Sequence, residues 1–176
     1  MARVTLLEKD QADPIMQTFY QLSEDAGFPV LNFFKALAHS PKLARDFLRL
    51  GTAILGKADL SPVLRELAIL RIGHVNQAHY EWTQHVRIGQ SVGLTMEKIN
   101  AVKDWLASDL LDETEKAVLA YTDEVNVDIR VADACFDQVK QLLGEKQVVE
   151  LTVTIAYYGA VSRILESLDI ELEDDL

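Results

Sequence analysis

Two Ser-Pro steps, Ser40-Pro41 and Ser61-Pro62, do most to limit what this chain can fold into. Serine can cap a helix, and proline suits the first helical position, where no backbone N–H has to be satisfied. After Pro41, the apolar residues Leu43, Phe47, Leu48, Leu50 and Ile54 fall at helical spacings, with Gly51 and Gly56 marking the weakening and the end of that helix. After Pro62, Leu67, Leu70 and His74 share one side of a second helix, with Glu66 beside them.

The same punctuation divides the rest. Pro14 opens a helix that runs to about Asp25 and ends at Gly27, and Val30 to Ala38 forms a short apolar piece. A helix is expected from about Gln77 to Val92, with Gly93 as its left-handed cap. Thr95 can cap the next, to about Ala107, and Asp112 with Glu115 makes a reciprocal capping box for one through Asn126. Ala132 to Leu143 is periodic and ends at Gly144.

The run VVELTVTIAYY inside Gln147–Leu168 favours a strand by propensity. With no turn signal for over twenty residues it is too long for one, and Ala156, Ala160 and Leu165 continue as a buried helix. The final ELEDDL reads as a solvated end. The segments Val63 to Leu67 and Gln147 to Leu151 each place a glutamate ahead of an apolar helix, a faint internal echo. The reading is all-α, with about seven to nine helices.

At 176 residues this is one expected domain over 1–176, residues 1–60 being a helical lead and 61–107 the motif region. Charged residues are scattered and the net charge is −11, which argues against nucleic acid, whose phosphates require a clustered basic surface. The single cysteine, Cys135, rules out an internal disulfide and fits a reducing compartment. The start lacks the apolar core of a secretory signal, and Leu151–Val161 is too short to span a bilayer, so no membrane partner is expected and the expected location is cytoplasmic.

Chemistry concentrates between Glu66 and His85, which hold between them three of the four histidines, His74, His79 and His85. Glu81 and His85, four apart, lie on one helical face, with Ala78 and Trp82 within a turn. A carboxylate against an imidazole beside an indole can serve acid–base chemistry, because the carboxylate fixes the tautomer and apolar walls tune both groups. The same spacing also occurs on solvated helices, where it contributes only about tenths of a kcal/mol. Trp82 suits a core as well as a site, and Tyr80 suits packing as well as substrate contact. Spacings of five and six between the histidines put no two rings on one face and HExxH is missing, so no metal site is expected. GxGxxG, GxxxxGK[ST] and GxSxG are missing too.

Glu66, its apolar helix, the run AHYEWTQH at 78–85 and Gly93-Leu94-Thr95 together resemble the carboxymuconolactone decarboxylase superfamily, which includes the alkylhydroperoxidase D-like proteins. The resemblance extends from about Phe28 to Glu171 and implies an alkylhydroperoxidase D-like multi-helix bundle. In the peroxidase branch a glutamate, a CxxC pair and a histidine form a proton relay. Laid onto this chain, the glutamate is Glu66, the histidine is His85, and the cysteine positions are Ala78 and Glu81. Thiol peroxidase chemistry needs an attacking and a resolving sulfur, and neither position supplies one.

What remains resembles the decarboxylase side, whose family activity is loss of carbon dioxide from a carboxylated muconolactone. The resemblance implies catalytic His85 with Glu81 and Glu66, and substrate contacts from Tyr80, Trp82, His79 and Arg71. It implies no cofactor, a small-molecule substrate, and a homo-oligomer, trimer or hexamer. Dedicated decarboxylases of the family are generally shorter than this chain, so another lactone or acid is an open substrate. An antioxidant peroxidase and a non-catalytic helical oligomer are the competing readings, separable by their response to loss of Cys135 or of His85.

Overall fold

The structure is a computed structural model that describes residues 2–25, 27 and 29–173. Phe28, where the resemblance begins, and Asp174–Leu176 of the acidic tail lie outside the described residues. All regular structure among the described residues is helical. The helices are α1 (Pro14–Asp25), α2 (Asn32–Leu37), α3 (Pro41–Lys57), α4 (Pro62–Val75), α5 (His79–Ser91), α6 (Met96–Ala101), α7 (Glu113–Asp123) and α8 (Asp133–Leu168). The fold class is therefore all-α, as the spacing predicts.

The chain divides into two compact units, Met1–Ala53 with Leu165–Leu176, and Ile54–Ile164. In the first, Met16, Tyr20 and Phe33 are buried, and the Tyr20 hydroxyl donates to the Leu7 carbonyl at 3.0 Å. The start of the acidic tail is pinned rather than free: the Asn32 backbone N–H donates to Glu173 Oε1 at 2.6 Å, and the Asn32 amide donates to the Glu171 carbonyl at 3.1 Å.

The second unit is built around α4. Arg65 to Leu70, Ile72 and Gly73 are all buried, so this helix is covered on every side rather than on one stripe. It packs on α5 and α7, and its Leu67 and Leu70 join Leu94, Ile99, Val102, Leu111 and Leu119 in one apolar core. Gly73 permits the close approach of α5: a Cβ there would lie 3.2 Å from the Trp82 backbone nitrogen.

Most local signals hold. Asp112 and Glu115 form both bonds of the capping box, Thr95 accepts from the Lys98 N–H, and Gly93 takes φ 103° after α5. Ser61 stands at the N-cap of α4, but its hydroxyl makes no capping bond. Helix α5 starts two residues later than its spacing suggests, because Gln77 adopts φ 56°. The expected helix to Ala107 breaks into α6 and a 3₁₀ turn, Val102–Ala107, kinked at Asp104. After α7 the chain widens into a π turn, Glu124–Asp128.

The strand-like run is helical: α8 holds it, interrupted only at Gly144, whose φ of 78° and ψ of 165° break the helix where the sequence predicts an end. By length and composition alone α8 is apolar enough to cross a membrane, yet its buried face carries Thr154, Ser162 and two tyrosines. The two echoing glutamates have different partners, since Glu150 accepts the Leu60 backbone N–H at 2.8 Å while Glu66 binds side chains.

Adding a methyl at Gly73 forces α4 and α5 apart, so Gly73→Ala is expected to lower stability in urea by roughly 1–3 kcal/mol. The same change at Gly56, with nothing within 4 Å of its Cβ position, is expected to raise stability by about 0.5–1 kcal/mol, the ordinary gain of alanine over glycine in a helix.

Candidate functional site

Helix α4 carries Glu66 into the middle of the second unit with no exposed surface at all. A carboxylate so placed loses its hydration and must be met by donors. Two are present. The Arg65 Nε donates to Glu66 Oε1 at 3.0 Å while the Arg65 Nη1 donates to the Leu55 carbonyl at 3.0 Å. On the other side, His85 Nδ1 lies 2.7 Å from Glu66 Oε2. An ionised carboxylate only accepts, so this contact assigns a proton to Nδ1 and leaves Nε2 as the nitrogen free to take or give one.

Helix α8 closes the other face of His85. The Tyr158 ring stands edge-on to the imidazole, centroids 4.8 Å apart at 86°, and Tyr157 stands edge-on to Tyr158 at 5.2 Å and 82°. One turn along α8, the Ser162 hydroxyl donates to Glu81 Oε2. Glu81 and His85 are four apart on α5, and Tyr158 and Ser162 are four apart on α8. The two helices thus meet in two rungs, Glu81 with Ser162 and His85 with Tyr158, in opposite sequence directions. All four side chains are buried.

Burial, then the charge of Glu66, then Tyr157 and Glu81, push the Tyr158 phenol well above its ordinary range, with Arg65 opposing. Burial and Glu81 push Tyr157 up as well. Both tyrosines therefore keep their protons and can only offer them as hydrogen bonds. The cluster holds two carboxylates and one guanidinium away from water.

The structure places the predicted residues in two groups. Glu66, Glu81 and His85 come together, but Glu66 rather than Glu81 holds the imidazole nitrogen. Tyr80 is buried on the same helix. Arg71, His79 and Trp82 instead line an open cleft of about 630 Å³ with Gly73, His74, Ala78 and Lys103, where α5 begins. Arg71 is held there by Asp123, with Nε and Nη2 at 2.6 and 2.9 Å from its two oxygens. Sequence reasoning missed Arg65, Tyr158 and Ser162. A signal existed for each: a charge next to Glu66 inside an apolar helix, and two polar groups four apart in the apolar second half of α8. Among the described residues no three His, Cys, Asp or Glu side chains gather as metal ligands.

Cys135 is distant in sequence from these groups and half-buried. Burial, followed by Glu124, pushes its thiol up to about 11. Little thiolate, the nucleophilic form, exists at neutral pH.

Residues 41–124 match the Carboxymuconolactone decarboxylase family model. Among solved structures, the chain is similar to an alkylhydroperoxidase AhpD core, an uncharacterized peroxidase-related protein from Ralstonia eutropha JMP134. The identity is 21% with a TM-score of 0.86, over 99% of this chain and 93% of that one. A peroxidase-related protein from Silicibacter sp. TM1040 is 15% identical with a TM-score of 0.83, again over 99% and 93%. The debrominase Bmp8, solved as a Cys-to-Ala variant with 2,3,4-tribromopyrrole, is 21% identical with a TM-score of 0.83, over 99% and 95%. At these identities the likeness is one of fold, and it includes the N-terminal lead. No curated protein matches the chain in sequence.

Removing the Glu66 carboxylate strands a buried guanidinium, so Glu66→Ala is expected to cost about 3–5 kcal/mol in urea denaturation. Glu66→Gln, which can still accept from Arg65, is expected to cost clearly less; equal losses would show that packing rather than charge governs the site.

Proposed function

We propose that this chain, which belongs to the carboxymuconolactone decarboxylase superfamily and lacks the paired cysteines of its peroxidase branch, is a cofactor-free acid–base enzyme acting on a small carboxylated lactone or related acid. The observation that carries the proposal is the buried His85–Glu66 contact of 2.7 Å, with Arg65 anchoring the carboxylate. When the carbon–carboxylate bond of such a substrate breaks, its electron pair moves into the conjugated lactone and carbon dioxide departs. A proton must then reach carbon. His85 Nε2 is the donor in this reading, while Glu66 holds the ring and offsets the charge that the imidazolium carries. Tyr158 keeps the imidazole plane fixed and, with Ser162 on Glu81, excludes water from the proton path.

The thiol routes are disfavoured by three observations. Ala78 and Glu81 stand where the relay needs sulfur, Cys135 is the only thiol, and its pKa is raised to about 11. The debrominase and the peroxidase-related proteins share the fold at 15–21% identity and therefore leave the reaction open.

The test is an ultraviolet assay of 4-carboxymuconolactone decarboxylation by wild type, His85→Ala and Cys135→Ser. Loss of a general acid is expected to lower turnover roughly 100-fold or more in a still-folded His85→Ala. Cys135→Ser is expected to turn over like wild type, and alkylation of Cys135 is expected to accelerate only as the pH climbs toward 11. Peroxide consumption that depends on Cys135 would overturn the proposal in favour of the thiol route.

A further inference from the structure

Helix α4 ends in a turn that suits glycine, and this chain gives the position to glutamine. Gln77 sits at φ 56°, its N–H donating to the His74 carbonyl at 3.2 Å, while the Ala78 N–H donates to the Gly73 carbonyl at 2.9 Å. These are the two bonds of a Schellman ending, whose left-handed residue is glycine by preference because a side chain there crowds its own backbone. A residue strained in this way persists only where its surroundings hold it.

The hold comes from the residue before it. Asn76, half-buried, and Asn126, buried, exchange two side-chain hydrogen bonds. Asn126 Nδ2 donates to Asn76 Oδ1 at 2.9 Å, and Asn76 Nδ2 donates to Asn126 Oδ1 at 3.3 Å. We propose that this amide pair is a positioning device for His85, acting through the turn that launches α5.

Asn126 is itself locked. It lies in the π turn Glu124–Asp128, the widened end of α7. Its Oδ1 is 3.2 Å from where a Cβ would stand on Gly159, so the absence of a side chain at Gly159 makes room for it. Arg163 Nη1 donates to the Gly159 carbonyl at 2.6 Å and lies 3.0 Å from the same Cβ position. Gly159 follows Tyr158 on α8, so the clamp is seated on the helix whose tyrosine stands edge-on to His85.

From Asn76 the effect runs forward along the chain. Helix α5 begins at His79, and the Trp82 N–H already donates to the Ala78 carbonyl at 3.0 Å. The left-handed step at Gln77 therefore sets the direction in which α5 leaves, and with it where His85 meets Glu66 and Tyr158. Releasing Asn76 lets Gln77 relax out of its strained conformation and tilts the start of α5. The catalytic meaning of this placement rests on His85 acting as the proton donor.

The experiment follows the His85 Cε1–H resonance in the full chain, which senses the Tyr158 ring 4.8 Å away whichever ring nitrogen carries the proton. Asn76→Ala, Asn126→Ala and the double variant are compared with Val139→Ala, which leaves a cavity in α8 before the break at Gly144. Each asparagine variant is expected to shift the resonance, and the double variant to shift it no further than the larger single change. Val139→Ala is expected to lower the urea midpoint and leave the resonance in place. Adding Gln77→Gly to Asn76→Ala is expected to return the resonance, because glycine takes the left-handed turn without a clamp. With 4-carboxymuconolactone, Asn76→Ala is expected to lower kcat roughly tenfold and change KM little. The proposal is overturned by an unmoved resonance in Asn76→Ala, by an equal shift in Val139→Ala, by additive shifts in the double variant, or by failure of Gln77→Gly to restore it. Asn76→Ala decides the matter even where Asn126→Ala does not fold. A wild type without turnover sinks the acid–base reading alone, and the resonance still decides this one.

Discussion

The buried carboxylate of Glu66 is the interaction on which the second unit depends. A helix covered on every side has no water to offer a charge, and α4 places one at its centre. An isolated carboxylate there would cost several kcal/mol, so the fold must deliver donors to both oxygens. Arg65, on the same helix, supplies one and His85, on α5, the other. This requirement fixes how α5 lies on α4. Gly73 removes the methyl that would otherwise keep the two helices apart. Tyr158 and Ser162 of α8 then meet His85 and Glu81 in the two-rung contact.

Helix α5 consequently has two chemically different ends. Its middle faces a dry cluster with two carboxylates, one guanidinium and two phenols that keep their protons. Its start faces an open cleft in which Arg71 is paired with Asp123 and Lys103 lies over the Trp82 indole. A negative, water-poor cluster suits the handling of a proton. The run AHYEWTQH puts both within two turns, so that neighbours in sequence serve different surroundings.

Local signals in the sequence are read well because their causes are local. The capping box of Asp112 and Glu115, the left-handed Gly93 and the break at Gly144 each depend on a few adjacent residues. The helical state of VVELTVTIAYY follows from its length in spite of its propensity, since burial outweighs a weak β preference. Of the site, Glu66 and His85 are legible as a carboxylate and an imidazole inside one motif, 19 positions apart. The partner of Glu81 is not legible. Spacing on α5 points to His85, yet Ser162, 81 positions away, provides the bond. Arg71 likewise looks available in sequence and is engaged by Asp123, 52 positions away. Packing between distant helices decides such pairs, and no window on the chain contains both members.

The most direct test of the central claim is the imidazole nitrogen spectrum of His85, recorded in wild type and in Glu66→Gln. A buried ring that donates from Nδ1 to a carboxylate should show a protonated Nδ1 with a far-downfield proton, and that proton should move sharply upfield when the carboxylate becomes an amide. A proton found on Nε2 with Nδ1 bare, or a signal indifferent to Glu66→Gln, would contradict the pairing of His85 with Glu66 on which the account rests.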